Sequence, residues 1–435
     1  MTTPTCADSP ADSFVDSFAV DARRVDAWLA EFAALTEPGS GAGVTRLAYT
    51  PLERRAHEIF ARAMTDLGLK VWTDAAGNTI AERPGTGAPR PVLATGSHLD
   101  SVPGGGRFDG IAGVVAALEV ARCYAETGAR HRFPVWFVAF AAEEGARFGQ
   151  ACTGSRVVAG LTGARDLEAK RDAEGVTLAE AMRGVGLAPE RTAEARWQPG
   201  DCAAFLELHV EQGGVLESRA KRIGVVDLIS GSTRFRLRLT GRASHTGATS
   251  MHLRADALAA AAEVVLLIES IARDSGHLGV RATVGRLAVR PGSITTIPGE
   301  TELSVDLRDV DADRQRQTAA EIVARARAIC ARRGVTLAAE ALADASPVVL
   351  PRWLRDVLAG ACAAEGVDYQ VLPSGASHDS QMVNHVAPAG MVFVPSRDGV
   401  SHVPAEWTST EDLVLGIRIL ATSLAEVDRL LGSAG

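Results

Sequence analysis

The length, composition and charge of the chain exclude several classes of protein. The chain has 435 residues, 46% hydrophobic and 23% charged, which is typical of a globular protein with two or three domains. Its formal net charge of -8 gives no basic field for nucleic acid, and no stretch approaches the roughly 20 consecutive apolar residues of a membrane span. We therefore expect neither nucleic acid nor a membrane as a partner.

The N-terminal segment and the cysteines bear on location. Residues 1–20 have neither the positive start nor the apolar stretch of a secretory signal, so we expect a cytoplasmic protein. The cysteines are scattered through a long chain without a CxxC pair, which predicts reduced, mostly buried thiols. Cys152 lies near the candidate site described below, although a structural role is the commoner one for a buried cysteine.

The first half of the chain alternates helix and strand patterns. Helical spacing of apolar residues predicts a helix over 51–69, and alternation around a Gly-Asn turn predicts a hairpin directly after it. A strand, an apolar helix and a second strand follow over 91–96, 110–128 and 133–145, and a further apolar strand spans 202–214. This βαβ order predicts a parallel sheet covered by helices.

The pattern changes at about residue 229. An alternating strand, a helix, two strands and a second helix follow up to residue 334, which predicts a self-contained α+β unit. The strand AGMVFVPS and a final helix from about 410 indicate a return to the first sheet. We therefore expect an α/β fold with a mixed, mostly parallel sheet flanked by helices. This catalytic domain would comprise residues 1–228 and 341–435, with an α+β domain inserted at 229–340.

The run GSHLDSVPGGGRFDG (96–110) is the first candidate site. His98 and Asp109 lie just past a predicted parallel strand, where open α/β sheets place their sites, and the glycines between them let the chain turn back. A metal ion would explain why the two side chains converge. Asp100, two residues after His98, can orient the imidazole from its other nitrogen. The alternative is a polar loop that caps the following helix.

Two further strand ends carry similar residues. FPVWFVAFAAEEG ends in Glu143 and Glu144, and burying two adjacent carboxylates costs several kcal/mol unless a cation or shared proton compensates. One glutamate can bind metal while the other acts as general base, with Gly145 ending the strand. In LELHVEQGG, His209 emerges from an apolar strand with Gln212 close behind it. A lone strand histidine is more often a core residue than a ligand, but its polar neighbours favour a site.

His402, in the Pro-bounded loop SHVPAEW, completes the candidate ligands. Three imidazoles and two carboxylates exceed what one tetrahedral zinc ion takes, so they predict two divalent ions bridged by one carboxylate. Zn(II) suits this set best, and Mn(II) or Co(II) could substitute. The five residues are His98, Asp109, Glu144, His209 and His402.

Six motifs in this order resemble a known family over roughly residues 20 to 430: GSHLDSVPGGGRFDG, FAAEEGARFG, LELHVEQG, GRASHTG, VDLR and SHVPAE. The family is that of the dinuclear-metal amidohydrolases related to aminoacylase and carboxypeptidase G, specifically the hydantoinase/carbamoylase branch with allantoate amidohydrolase and β-ureidopropionase. The resemblance implies that Asp109 bridges the metals and that Glu143 is the base. It further implies that His98 and His209 complete one metal site, and Glu144 and His402 the other.

The resemblance also implies substrate contacts. His245 in GRASHTG would stabilise the oxyanion, Arg308 of VDLR would grip the substrate carboxylate, and Gln212 would contact the ureido group. His378 in SGASHDS would lie close to the substrate pocket. Thr295 stands where relatives commonly carry Asn, and a hydroxyl offers fewer hydrogen-bonding options than an amide. Thr295 therefore predicts substrate contacts that differ from those of the relatives.

The expected reaction is hydrolysis of an N-carbamoyl-L-amino acid to the amino acid, CO2 and ammonia. Hydrolysis of allantoate, ureidoglycolate or N-carbamoyl-β-alanine is the nearest alternative, and hydrolysis of an N-acyl amino acid or a peptide is more remote. A metal-bound scaffold without activity would require the loss of a ligand or of the base, and none is lost. The inserted domain resembles the lid and dimerisation domain of the family, which implies a homodimer. The remaining histidines, His57 among them, are predicted to be surface or capping residues.

Overall fold

The computed structural model describes residues 19–433, and their contacts divide into two compact units. The first unit runs to Asp227 and resumes at Val349, and the second is Leu228–Val348. The insertion therefore continues beyond the expected residue 340, because the strand Thr336–Ala345 pairs along its length with Gly231–Thr240. Among the described residues, no helix is both long and apolar enough to cross a bilayer.

The strands and α-helices alternate along most of the described chain. The strands are β1 (Lys70–Thr73), β2 (Thr79–Arg83), β3 (Val92–His98), β4 (Val135–Phe140), β5 (Cys202–Val210), β6 (Ile223–Ile229), β7 (Gly231–Thr240), β8 (Ser244–His245), β9 (Arg281–Arg290), β10 (Thr296–Ile297), β11 (Glu300–Asp309), β12 (Thr336–Ala345), β13 (Val348–Val349), β14 (Tyr369–Ser374) and β15 (Ala389–Val394). The helices are α1 (Ala22–Ala33), α2 (Pro51–Asp66), α3 (Ile111–Thr127), α4 (Thr153–Val158), α5 (Ala164–Ala169), α6 (Leu178–Gly184), α7 (Val215–Ser218), α8 (Ala257–Arg273), α9 (Ala312–Arg332), α10 (Arg352–Ala364), α11 (Asp379–Val383) and α12 (Thr410–Ser433).

The first unit is built on a mixed sheet. Its strand order is β1-β2-β4-β3-β5-β15-β6-β13, with β14 also paired to β6. The four central strands β4, β3, β5 and β15 are parallel, whereas β1 and β2 form the predicted antiparallel hairpin at one edge. Every residue of β3, β4 and β15 is buried, as expected for parallel strands covered on both faces. The predicted fold class is confirmed.

Local sequence explains the helices that pack against this sheet. α2 begins at Pro51, whose fixed φ suits the first turn, and the hydroxyl of Thr50 accepts the amide of Glu53 at 3.3 Å. α3 is apolar on nearly all sides, and most of it accordingly lies inside the core. Its C-terminal turn is exposed, and Gly128 in the left-handed conformation caps it.

The second unit is an α+β unit of its own. Its antiparallel sheet has the order β12-β7-β11-β9, and β8 and β10 form a separate two-stranded ribbon. β11 alternates strictly, so that Leu303, Val305 and Leu307 join a core formed with α8 and α9. The other face of the sheet carries ion pairs, including Arg238 with Glu302 at 3.0 Å.

Candidate metal centre

The candidate ligands lie where the parallel strands of the first unit end. His98 is the last residue of β3 and is level with Phe140, the last residue of β4. His209 lies near the end of β5, in register with Phe393 of β15, and the chain after β15 leads to His402. Because the carboxyl ends of parallel strands meet at one edge, residues distant in sequence come together there.

The structure brings the predicted ligands into two groups that share Asp109. One group is His98, Asp109 and His209, and the other is Asp109, Glu144 and His402, with the ligand atoms of each group within 4.8 Å of one another. Nε2 of His209 lies 3.2 Å from Oδ1 of Asp109, and Nε2 of His402 lies 3.2 Å from Oδ2. One carboxylate therefore offers a separate oxygen to each group.

The carboxylates and imidazoles in this cluster strongly shift one another's pKa values. Burial opposes ionisation of Asp109, but hydrogen bonds with His209, His402 and His98 outweigh it and hold the pKa of that carboxyl well below its usual value. Burial likewise opposes protonation of His402, but Glu144 and Asp109 raise the pKa of its imidazole to about 11. The cluster thus attracts positive charge, which is the condition for binding a cation.

The donor set also fits divalent metal ions. Imidazole and carboxylate groups are the usual ligands of Zn(II) and Mn(II), and here three of one and two of the other converge. Oε1 of Glu144 is buried and lies 3.3 Å from Nε2 of His402, but among the described residues no donor meets it in good hydrogen-bonding geometry. An unsatisfied buried carboxylate oxygen is costly unless a cation completes it.

Two residues that the sequence pattern did not point to hold Asp109 in place. Oε1 of Glu406 accepts the backbone amides of Phe108 and Asp109 at 2.9 and 3.0 Å. The hydroxyl of Ser401 lies 2.8 Å from Oδ2 of Asp109 and 2.5 Å from Oε2 of Glu406. Both residues belong to the motif SHVPAE, and the buried carboxylate four positions after His402 was the available signal.

Two of the glycines in GSHLDSVPGGGRFDG are required by close approach. Gly110 has φ +67°, and a Cβ there would collide with the ring of His98. A Cβ on Gly106 would collide with the carboxylate of Glu406. The glycines therefore make room for the residues around Asp109.

The segment after β4 is held by side chains from elsewhere in the chain. Asp100 accepts the amide of Glu143 on Oδ1 at 2.8 Å and that of Glu144 on Oδ2 at 2.9 Å. The two preceding amides donate to Asn78 and Glu53 at 3.0 and 2.8 Å. β4 ends at Phe140 and the chain turns at Ala142, whose φ is 56°, so the strand does not continue to Gly145 as the sequence suggested.

Asp100 has a second neighbour in His98. Nδ1 of His98 lies 3.2 Å from the backbone carbonyl of Asp100 and 3.4 Å from its Oδ1. The imidazole is therefore oriented chiefly by the carbonyl group, while the carboxylate is occupied by the two amides of the glutamate segment.

Glu143 belongs to neither ligand group. Its Oε2 lies 3.9 Å from Nε2 of His98, and its Oε1 accepts the thiol of Cys152 at 2.9 Å. Burial, followed by the charge of Glu144, raises the pKa of Glu143 to about 7, although His98 and Cys152 act in the opposite direction. A buried carboxyl with this pKa can take up and release a proton near neutral pH.

Gln212 and His378 also lie beside the cluster. Nε2 of Gln212 donates to Oδ2 of Asp109 at 2.6 Å, and its Oε1 is buried without a hydrogen-bond partner among the described residues. His378 is buried, its Nε2 lies 2.8 Å from the hydroxyl of Ser374, and its ring packs edge-on against His209 at 4.6 Å between centroids.

The remaining predicted residues lie in the second unit. Nδ1 of His245 accepts the amides of Gly247 and Ala248 at 3.0 and 3.2 Å, so the ring carries its proton on Nε2. Thr295 is next to the ribbon residue Thr296, which pairs with His245. These contacts place Thr295 and the imidazole at the same end of the unit.

Arg308 lies at the opposite end of the strand ladder. β11 pairs with β7 from Glu300 opposite Thr240 to Arg308 opposite Ser232, a span of roughly 26 Å at about 3.3 Å per residue. The guanidinium contacts the carboxylate of Asp306 through Nε at 2.9 Å and Nη2 at 3.2 Å. The second unit therefore does not bring Arg308 and His245 together.

This fold and this cluster define an α/β protein with an inserted α+β unit and, at the ends of its parallel strands, a cluster of imidazole and carboxylate groups suited to divalent metal ions. The model of Peptidase family M20/M25/M40 matches residues 94–426, and the chain belongs to that family. It is 44% identical over 378 residues to an N-carbamoyl-L-amino acid amidohydrolase of Geobacillus stearothermophilus, covering 87% of this chain and 92% of the relative.

Two further comparisons extend this result. The chain is 34% identical over 418 residues to a ureidoglycolate hydrolase of Oryza sativa, covering 95% of this chain and 85% of the relative. The crystal structure of an amidase of the hydantoinase/carbamoylase family from Burkholderia vietnamiensis superposes with a TM-score of 0.89 at 34% identity, covering 94% of this chain and 98% of that one. The predicted family and branch are confirmed.

Proposed function

We propose that this protein hydrolyses the carbamoyl C–N bond of N-carbamoyl-L-amino acids to the free amino acid, CO2 and ammonia. The observation that carries the proposal is the arrangement of two ligand groups sharing Asp109, beside a buried carboxyl, Glu143, that belongs to neither. The choice of substrate is supported by the 44% identity to a relative named for this reaction, against 34% for the relative named for ureidoglycolate.

The proposed cofactor is a pair of divalent ions, with Zn the best match and Mn or Co as substitutes. His98 and His209 would hold one ion, Glu144 and His402 the other, and Asp109 both. When bound, such ions polarise a carbonyl group and lower the pKa of a water molecule.

The protein groups divide the remaining work. Glu143 would accept a proton from the attacking water and deliver it to the leaving nitrogen, because its carboxyl is buried beside the two ligand groups and belongs to neither. Nε2–H of His245 would donate to the developing oxyanion, in the tautomer that the loop amides impose. Asp100 would keep Glu143 and Glu144 in place through their backbone amides.

Substrate recognition would use other polar side chains near the proposed catalytic residues. The unsatisfied Oε1 of Gln212 is an acceptor for a ureido N–H, and the fork of Arg308 matches a carboxylate. His378 and Thr295 would line the substrate, and the shorter Thr295 would favour a different contact from the usual Asn.

A homodimer would reconcile the positions of His245 and Arg308. The strand ladder that separates them spans roughly 26 Å, whereas an N-carbamoyl amino acid is far shorter. This separation favours a site to which two chains each contribute one of the two side chains. A second copy would supply one of them.

The test is ammonia release by metal-stripped protein after Zn(II), Mn(II) or Co(II) is restored. The substrates are N-carbamoyl L- and D-amino acids, N-carbamoyl-β-alanine, allantoate and ureidoglycolate. N-Acetyl amino acids are tested as well, and for them the released carboxylic acid is measured instead of ammonia. We expect metal-dependent turnover of the N-carbamoyl-L-amino acids, lost in Glu143→Gln. Glu211→Gln is the matched control, because Glu211 is a buried carboxylate that instead accepts the amides of Val215 and Leu216.

The other outcomes each name a different enzyme. Faster turnover of allantoate or ureidoglycolate would leave the proposed roles of the site residues standing but would assign a different substrate. Turnover of N-acetyl amino acids alone would overturn the ureido assignment. Full activity in Glu143→Gln would remove the base from the mechanism.

A further inference from the structure

Cys152 is a buried thiol beside the ligand groups that the proposed mechanism does not use. It is 1% exposed and lies immediately before α4, on the chain segment that runs beside the residues after β4. Its Sγ is 2.9 Å from Oε1 of Glu143, in donor geometry. The thiol thus contacts the carboxyl to which the proton transfer is assigned.

The backbone fixes the position of this thiol. The amide of Cys152 donates to the carbonyl of Glu143 at 2.6 Å, and the next two amides donate to the carbonyls of Ala142 and Ala141 at 2.8 and 3.0 Å. Cys152 has φ +58°, a left-handed conformation that is unfavourable for a residue with a side chain. The hydrogen bonds hold the residue in that conformation, and the side chain points at the carboxylate from a rigid position.

The carboxylate of Glu143 has few other constraints. Among residues 19–433, the thiol is the one group within hydrogen-bonding distance of it, since Nε2 of His98 is 3.9 Å from Oε2. Burial, and then the charge of Glu143, raise the pKa of the thiol well above its usual value, so Cys152 remains an S–H donor at neutral pH.

We propose that Cys152 is a positioning residue for Glu143: its S–H holds Oε1, so that Oε2 is turned toward His98 and the ligand groups. This inference rests on the proposed function, in which Glu143 transfers the proton. A thiol that only fills space would be replaceable by alanine with little effect on turnover. A thiol that donates a hydrogen bond is replaceable by serine and not by alanine.

The experiment compares Cys152→Ala, Cys152→Ser and a matched control, Cys362→Ala. Cys362 is a buried free thiol on α10 that has no contact with the ligand groups. We expect kcat of Cys152→Ala to fall about tenfold or more, a fraction of what a general base contributes, with KM and metal content unchanged. Cys152→Ser should recover most of kcat, and Cys362→Ala should keep it.

A second measurement reads the carboxylate directly. Crystal structures of the wild type and Cys152→Ala, both metal-loaded, should show Glu143 in one conformer in the first and displaced or in two conformers in the second. Glu143 unmoved in Cys152→Ala, kcat within twofold of the wild type, or Cys152→Ser as slow as Cys152→Ala would each overturn the proposal. Inactivity of the wild type on every substrate would instead reject the proposed function, while the crystal structures would still decide the role of Cys152.

Discussion

The carboxylate of Asp100 accepts the backbone amide of Glu144: Oδ2 accepts that amide at 2.9 Å, and Oδ1 accepts the amide of Glu143 at 2.8 Å. A candidate metal ligand and the candidate base are thus fixed to one another through a third acidic residue, one that is itself fully buried. The position of Glu144 depends on Asp100 as much as on its own strand.

Asp100→Asn should therefore weaken metal binding. An amide group offers one acceptor, so one of the two backbone amides would face an N–H donor, which costs about 1–3 kcal/mol of stability. Metal affinity should fall about 10- to 100-fold, as for other residues that orient ligands. Chelator competition and urea unfolding measure the two effects. Asp309→Asn, a buried carboxylate in the second unit, should lower stability alone; equal metal loss in both variants would refute the prediction.

Glu406 should be sensitive to the loss of its oxygens and less so to the loss of its charge. Glu406→Gln keeps an acceptor for the amides of Phe108 and Asp109, whereas Glu406→Ala leaves both unpaired at about 1–3 kcal/mol each. We expect Glu406→Ala to lose stability and metal affinity, and Glu406→Gln to lie closer to the wild type. Thermal unfolding with and without metal is the measurement. Equal effects of the two substitutions would mean that the charge of Glu406 matters most.

Metal stoichiometry should follow the two ligand groups. We expect two ions per chain, one after His98→Ala or His402→Ala, and none held tightly after Asp109→Ala, because Asp109 belongs to both groups. Removal by chelator should lower the unfolding temperature, and each site should restore about 4 kcal/mol when free metal is 1,000 times its Kd. Isothermal titration and elemental analysis give the counts. Retention of one tight ion by Asp109→Ala would contradict a shared ligand.

His57 should make the protein less stable in mild acid. It is 1% exposed, and burial, followed by the charges of Arg54 and Arg46, lowers the pKa of its imidazole well below the usual value. As pH falls through about 6.5, the unfolded chain binds a proton that the native state does not, so the free energy of unfolding decreases by about 2 kcal/mol by pH 5. In His57→Phe, this contribution to the difference in the free energy of unfolding between pH 8 and pH 5 should be absent. Urea unfolding of the metal-loaded protein tests it, and an unchanged pH dependence would exclude His57 as its source.

The sequence predicted the elements well because periodicity is a local property. The hairpin at β1 and β2, the βαβ order and the parallel sheet follow from residues close in the chain. His57 was misplaced at the surface, although it lies on the buried face of α2 with Ala56 and Phe60. The helical spacing that predicted the helix also places His57 on the buried face, but a histidine is polar and was therefore assigned to the surface.

The parts of the site that the sequence did not indicate depend on distant partners. Glu406 accepts the amide of Asp109, 297 positions away, and no periodic pattern records such a contact. The sequence did place Cys152 near the candidate site, but its contact with Glu143, nine positions away, depends on how its segment runs back along the residues after β4. The candidate ligands were recognisable for the opposite reason, since each stands at a strand end, where parallel strands are known to gather polar residues.

The shared carboxylate has a consequence for how the molecule is made. Asp109 is synthesised early, whereas His402, its neighbour at 3.2 Å, follows only after the whole of Leu228–Val348 has been translated. A nascent or truncated chain that stops between residues 209 and 402 contains His98, Asp109 and His209 but lacks His402 of the second group. Occupancy of both proposed metal positions would therefore report that the chain has been synthesised at least as far as His402, whereas such fragments would hold at most one ion.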